Sequence, residues 1–327
     1  MSKTIQANNI EALGNAMDLA LERDPNVVLY GQDAGFEGGV FRATKGLQKK
    51  YGEERVWDCP IAEAAMAGIS VGAAIGGLKP IVEIQFSGFS FPAMFQIFTH
   101  AARIRNRSRG VYTCPIIVRM PMGGGIKALE HHSETLEAIY GQIAGLKTVM
   151  PSNPYDTKGL FLAAVESPDP VVFFEPKKLY RAFRQEIPAD YYTVPIGQAN
   201  LISQGNNLTI VSYGPTMFDL INMVYGGELK DKGIELIDLR TISPWDKETV
   251  FNSVKKTGRL LVVTEAAKTF TTSGEIIASV TEELFSYLKA APQRVTGWDI
   301  VVPLARGEHY QFNLNARILE AVNQLLK

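Results

Sequence analysis

Short apolar runs alternate with longer stretches of helical periodicity along the chain, the pattern of a parallel sheet covered by helices on both faces. The runs Val27 to Tyr30, Ile81 to Phe86, Ile116 to Met120, Thr148 to Met150 and Val171 to Glu175 predict strands, with helices between them. Ser152-Asn-Pro154 supplies a polar cap followed by proline, and Phe91-Pro92 starts a helix that runs toward Arg107. From Arg184 to Gly205 the periodicity lapses, and Ile187 to Val194, closed by Pro195, reads as an extended connector with two prolines. A second series follows, with strands at Leu208 to Tyr213, Ile234 to Leu239 and Arg259 to Thr264. Its helices run to Tyr225, over Lys247 to Lys256, and over Gly274 to Leu288. The expected fold class is α/β with two parallel-sheet domains, residues 1–186 and 205–327, joined by a linker at 187–204. The second sheet is expected to be smaller and parallel. No internal repeat is visible, and Gly123-Gly-Gly125 reads as a loop.

Composition narrows the class. With 327 residues, 46% hydrophobic and 20% charged, the chain can bury two separate cores. A net charge of -1 gives no general attraction for nucleic acid or an anionic membrane, and neither is expected as a partner. The one dense basic run, Arg103, Arg105, Arg107 and Arg109, lies near a predicted helix end, as a solvated face would. Two cysteines, Cys59 and Cys114, make no disulfide framework and lack metal-ligand spacing. That usage fits a reducing compartment, so the cytoplasm is expected. The stretch from Met1 to Met17 has neither an apolar signal core nor the arginine-rich, acid-poor character of a transit peptide.

The candidate chemistry starts at Val56 to Gly72, where a single carboxylate, Glu63, stands at the mouth of an apolar, small-residue helix. Ala64, Gly68, Gly72 and Gly76 recur every four positions and give that helix one smooth face. The run is too short to span a bilayer and is bounded by Glu63 and Lys79, so it reads as a soluble helix at a crowded interface. Taken alone, Glu63 is equally a cofactor-binding acid or a first-turn acid favoured by the helix dipole. Parallel sheets bind ligands at the carboxyl ends of their strands. The loops there hold Gly31-Gln-Asp33, then Ser87-Gly-Phe-Ser-Phe91, then Pro121 to Ser133 with His131 and His132. Phe89 either faces a planar ligand or fills core. The histidine pair, after a glycine run expected to be flexible, is either a surface pair or a source of an imidazole for acid-base work. No Walker loop, no strand-linked Gly-x-Gly-x-x-Gly and no Gly-x-Ser-x-Gly elbow occurs.

Taken together, the motifs are more specific than any one of them: Gly31-Gln-Asp33, Gly38-Gly-Val-Phe-Arg-Ala-Thr-Lys-Gly-Leu47, Ala62-Glu63, Glu83-Ile-Gln-Phe-Ser-Gly-Phe89, Arg119-Met-Pro121 with Gly123-Gly-Gly125, and His132-Ser133. They closely resemble the beta subunits of the thiamine-diphosphate-dependent first component of 2-oxo acid dehydrogenase complexes, most closely the bacterial members acting on pyruvate. The resemblance covers nearly the whole chain. It implies a transketolase-like pyrimidine-binding domain followed by a transketolase C-terminal domain. By position, Glu63 matches the carboxylate that hydrogen-bonds the cofactor's aminopyrimidine ring nitrogen, in a niche expected to be buried. Phe89 matches the aromatic stacked on the pyrimidine. His132 matches the histidine implicated in passing the acyl group to lipoamide, with His131 expected to point elsewhere. Backbone carbonyls at the positions of Ile116, Ala164, Val165, Ser167 and Asp169 hold a structural potassium ion in relatives. Gln32 replaces the acidic residue usual in this turn, which removes a titratable group from the loop.

The chain has no Gly-Asp-Gly segment of the kind that binds diphosphate through magnesium in these enzymes. The resemblance therefore implies a cofactor shared with an alpha subunit that carries the magnesium, in an alpha-two-beta-two tetramer. That tetramer would deliver acetyl groups to the lipoyl domains of a dihydrolipoyl acetyltransferase core. A branched-chain 2-oxo acid or acetoin dehydrogenase subunit is the neighbouring expectation, and a non-catalytic α/β scaffold the more distant one.

Overall fold

The structure, a computed structural model, describes residues 3–327. Met1 and Ser2, at the head of the N-terminal stretch and of the first domain considered above, lie outside them. Fourteen strands occur among the described residues: β1 (Thr4–Ala7), β2 (Val27–Gly31), β3 (Val56–Asp58), β4 (Lys79–Glu83), β5 (Ile117–Met122), β6 (Lys147–Val149), β7 (Val171–Pro176), β8 (Gln185–Pro188), β9 (Asn200–Ser203), β10 (Leu208–Ser212), β11 (Ile234–Asp238), β12 (Thr241–Ser243), β13 (Leu260–Val263) and β14 (Gln293–Val295). They form a seven-stranded sheet in the order β12-β6-β7-β5-β4-β2-β3, a five-stranded sheet in the order β14-β13-β10-β11-β9, and the pair β1-β8.

Both large sheets are covered on two faces, and the alternation of side chains shows how. Leu29, Ile81, Ile117, Val171 and Phe173 point to one face, where Leu13 and Met17 of the helix Asn9–Arg23 and Leu160 and Phe161 of the helix Pro154–Glu166 cover them. Tyr30, Val82, Val118, Val172 and Phe174 point to the other, against Met66, Ala67 and Val71 of the helix Glu63–Ile75. Strands buried on both sides read as continuous apolar runs, which is why β2 and β7 stand out in the sequence. The second core cluster also takes in Val211, Ile237 and Val262 of the smaller sheet, so the two domains share apolar core. The far face of that sheet packs on Ile318, Ala321, Val322 and Leu325 of the helix Asn315–Leu325, at the spacing of one helical face.

Three expectations change. The stretch 187–204 is not a plain connector: it holds the end of β8, paired antiparallel with β1, and all of β9. The smaller sheet is not purely parallel, because β9 runs antiparallel to β11. Strand β12, although it follows β11, crosses to the larger sheet and pairs antiparallel with β6. All three are short edge strands with few apolar positions, so their pairing is set by tertiary context more than by pattern. The helix from Phe91 toward Arg107 also departs from regularity, passing through a π segment at Phe95–His100 and a 3-10 turn at Ala101–Arg103.

The carboxyl edge of the smaller sheet abuts the first domain through three buried acids. Tyr213, after β10, donates to Glu137 Oε1 at 2.9 Å. Asp238, ending β11, accepts from Ser152. Glu265, after β13, accepts from Thr135 Oγ1 at 3.5 Å. Burial raises all three carboxyls to about 7, against the hydrogen bonds they accept. A carboxyl whose folded value lies above its unfolded one contributes stability at low pH and loses it as pH rises through the folded value. The urea midpoint should therefore fall as pH rises from about 4.5 to about 7. Glu137→Gln, nearly isosteric and still able to accept from Tyr213, should flatten that slope in equilibrium unfolding; an unchanged slope contradicts the assignment.

Candidate functional site

Chain order reverses around β2, with β3 on one side and β4 on the other, so a crevice opens at the carboxyl edge between them. The loops after β2, β3, β4 and β5 carry Gln32, Glu63, Phe89 and His132 respectively. Beneath them Arg119 stiffens the floor. Its Nε donates to Glu175 Oε1 at 2.7 Å and its Nη2 to Glu175 Oε2 at 3.0 Å, while Nη1 pairs with Glu83. All three side chains are buried, so removal of Arg119 would strand two carboxylates.

Glu63 is the first residue of the helix Glu63–Ile75, in the turn where the dipole favours an acid. Its Oε1 accepts a hydrogen bond from Nε2 of the buried Gln32 at 3.1 Å. Gln32, noted above only as a lost titratable group, is thus the side chain that orients Glu63. The niche around Glu63 is half-open rather than buried, and the neighbouring Ile61 is 82% exposed. The small-residue face continues in the same direction, with Ala64, Gly72 and Gly76 exposed beside Ile69 and with Phe91 and Phe95 across from it. Cys59, next to this loop, has its thiol pushed up to about 11 by burial and then by the charges of Asp58 and Glu63, so it is not a thiolate nucleophile.

Phe89 closes the 3-10 turn Ser87–Phe89, which Ser87 Oγ ties to the Glu134 carbonyl at 2.8 Å. The structure brings Phe89 and His132 together, with ring centroids 5.1 Å apart, and Phe86 meets His132 edge-on at 4.5 Å. His132 Nδ1 is buried and has no hydrogen-bond partner. Burial first, then the charges of Lys177 and His131, hold this imidazole below its ordinary value against Glu130, so it is neutral at neutral pH. His131 does not point elsewhere. Its Nε2 bonds the Gly88 carbonyl and its ring packs on Phe89 at 5.1 Å. A Cβ at Gly88 would collide with the His131 carbonyl, so this approach requires glycine.

The Gly123-Gly-Gly125 loop, expected to be flexible, is held between the domains. A Cβ at Gly123 would fall on the Glu265 carboxylate, and its φ of 76° favours glycine as well. Gly125 donates its backbone N–H to Glu308 Oε1 at 2.5 Å. Lys177, just after β7, donates to the carbonyls of Gly123 and His132. The pattern gives no sign of Lys177, Glu265 and Glu308 as one group. Two of them do follow strand ends, which is the only signal available.

Three of the five carbonyls at the positions matched to potassium accept hydrogen bonds within the chain. The Ile116 carbonyl accepts from Val171 N–H at 2.9 Å, that of Ala164 from Ser167 N–H at 3.1 Å, and that of Asp169 from Ser167 Oγ at 2.9 Å. Lys147 Nζ lies 2.9 Å from Ser167 Oγ and 3.9 Å from the Asp169 carboxylate.

A carboxylate, a partly exposed aromatic ring and an unpartnered imidazole nitrogen thus occupy neighbouring loops, a donor set suited to a planar nitrogen heterocycle. No helix among the described residues is long and apolar enough to cross a membrane. Comparison with known proteins agrees with the two-sheet reading. The family "Transketolase, pyrimidine binding domain" matches residues 6–182, and "Transketolase, C-terminal domain" matches residues 197–316. The pyruvate dehydrogenase E1 component subunit beta of Mycoplasma genitalium is 89% identical over 327 residues, covering 100% of both chains. Its counterpart from Acholeplasma laidlawii is 56% identical over 97% of each chain. The 2-oxoisovalerate dehydrogenase subunit beta of Pseudomonas aeruginosa is 44% identical, over 97% of this chain and 94% of its own. A solved structure described as a split gene transketolase, inactive beta4 tetramer, superposes with a TM-score of 0.78 over 98% of each chain at 19% identity, which is a likeness of fold alone. The chain belongs to the family of pyruvate dehydrogenase E1 component beta subunits.

Proposed function

We propose that this chain is the pyrimidine-side half of a thiamine diphosphate site, acting with an alpha subunit to decarboxylate pyruvate and pass the acetyl group to a lipoyl domain. The observation that carries this is the array of Glu63, Phe89 and His132 on successive loops of one sheet edge, with a buried, unpartnered Nδ1 on His132. When bound, thiamine diphosphate supplies the electron sink for decarboxylation. Glu63, oriented by Gln32, exchanges a proton with the pyrimidine ring nitrogen, and Phe89 offers its ring to the ring face. His132, neutral and close to Phe89, hydrogen-bonds the acyl group as it leaves for lipoamide. The half-open niche and the exposed Ile61, Ile69, Phe91 and Phe95 suit closure by the alpha subunit, which would exclude water and hold the diphosphate through magnesium. A structural potassium ion on the backbone carbonyls of Ile116, Ala164, Val165, Ser167 and Asp169 belongs to the same reading, since each carbonyl oxygen that accepts one hydrogen bond keeps a second lone pair.

Pyruvate is preferred as substrate because identity is 89% to the pyruvate dehydrogenase subunit and 44% to the 2-oxoisovalerate one. Relative rates of the reconstituted pair on pyruvate and 2-oxoisovalerate check this; faster turnover of the branched acid reverses the assignment. The chain alone should show no tight site for thiamine diphosphate and magnesium in calorimetric titration, and one should form when the alpha subunit is added. Submicromolar binding by the isolated chain would contradict the shared site.

A further inference from the structure

We propose that Lys177 is a positioning residue for acyl transfer, a buried ammonium that ties the Gly123 turn to the His132 turn. The proposal rests on the role of His132 given above. Lys177 is 2% exposed. Its Nζ donates to the His132 carbonyl at 2.6 Å and to the Gly123 carbonyl, and stands 5.5 Å from the centroid of the Phe86 ring that packs edge-on against His132. One cation thus fixes both ends of the loop Gly123 to His132 and the aromatic wall of the imidazole.

An isolated buried ammonium is costly, and two carbonyls do not neutralise it. Glu265 and Glu308 of the second domain offset part of that cost through space, without an ion pair to it. Burial brings Lys177 down to about 8 and these two carboxylates oppose the fall, so the charged form prevails at neutral pH. Glu265 also faces Lys178, which is bonded to Asp219 at 2.5 Å. Glu308 binds the backbone of Gly125 and the Glu265 carboxylate stands against Gly123, so the second domain grips the loop directly. Lys177 also acts through space on His132. After burial its charge is the largest influence holding that imidazole below its ordinary value, with His131 adding to it and Glu130 opposing. Geometry and charge are therefore separable effects of one side chain.

Two variants separate them in the full chain reconstituted with its alpha subunit. Lys177→Met removes donors and charge, whereas Lys177→Gln removes the charge and keeps a shorter amide donor that can reach at most part of the way to the two carbonyls. Both should move the His132 titration upward in histidine-labelled NMR, readable because the chain has four histidines. Lys177→Met should slow lipoyl acetylation by about ten- to a hundredfold, as expected when a reacting group is misplaced by about an ångström. Lys177→Gln should slow it less, and Lys177→Arg should return the titration toward wild type. A folded Lys177→Gln chain with unshifted His132 titration and normal acetylation overturns the proposal for Lys177 alone, provided His132→Ala is defective. If His132→Ala acetylates normally while the Lys177 variants shift the titration, the role of His132 falls and this proposal falls with it.

Discussion

Glu63→Gln in the assembled pair should leave folding and assembly intact and cut pyruvate decarboxylation by roughly 10² to 10⁴. The substitution is nearly isosteric, and Glu63 is half-exposed at a helix start, so little packing is at stake. The amide cannot exchange the proton that the pyrimidine nitrogen requires, and this exchange precedes every turnover. The Gln32 amide, 3.1 Å from the carboxylate, would then face a second amide, which either rotates to offer its oxygen or breaks the contact. Both results cost orientation as well as the proton. Decarboxylation measured with an artificial electron acceptor reads the loss without lipoyl transfer. Wild-type rates in a correctly assembled variant would remove Glu63 from the chemistry.

His132→Ala should split the two half-reactions. Lipoyl acetylation should fall by about tenfold or more beyond any loss in decarboxylation, equivalent to a contribution of at least roughly 1.4 kcal/mol in the acyl-transfer transition state. His131 is an unsuitable control, because its ring packs on Phe89 and its Nε2 holds the Gly88 carbonyl. His131→Ala should disturb Phe89 and so affect both assays together. Equal losses in the two assays for His132→Ala would assign it to loop ordering, and no loss would leave it without a role.

The parts of this fold legible in the sequence are those where local pattern and tertiary burial agree. Strands such as β2 and β7 are apolar because both faces are covered, and the helix at Glu63 shows its small residues at one spacing. The rule that ligands gather at strand carboxyl ends directs attention to the loops of Glu63, Phe89 and His132. Short edge strands such as β9 and β12 carry too few residues for a period to show, and β12 pairs across the domain boundary. The clamp on Gly123 to Gly125 is also invisible in sequence, where three glycines signal freedom. Only the approach of Glu265 and Lys177 from distant strands turns that permissive backbone into a fixed one.

The most direct test is a structure of the chain assembled with its alpha subunit and thiamine diphosphate. The Glu63 carboxylate should lie within hydrogen-bond reach, about 2.6 to 3.2 Å, of the pyrimidine ring nitrogen. The Phe89 ring should lie against the pyrimidine face and His132 should border the same cavity. A cofactor bound away from the carboxyl edge of β2, β3 and β4, or one whose pyrimidine nitrogen meets no group of this chain, would contradict the account.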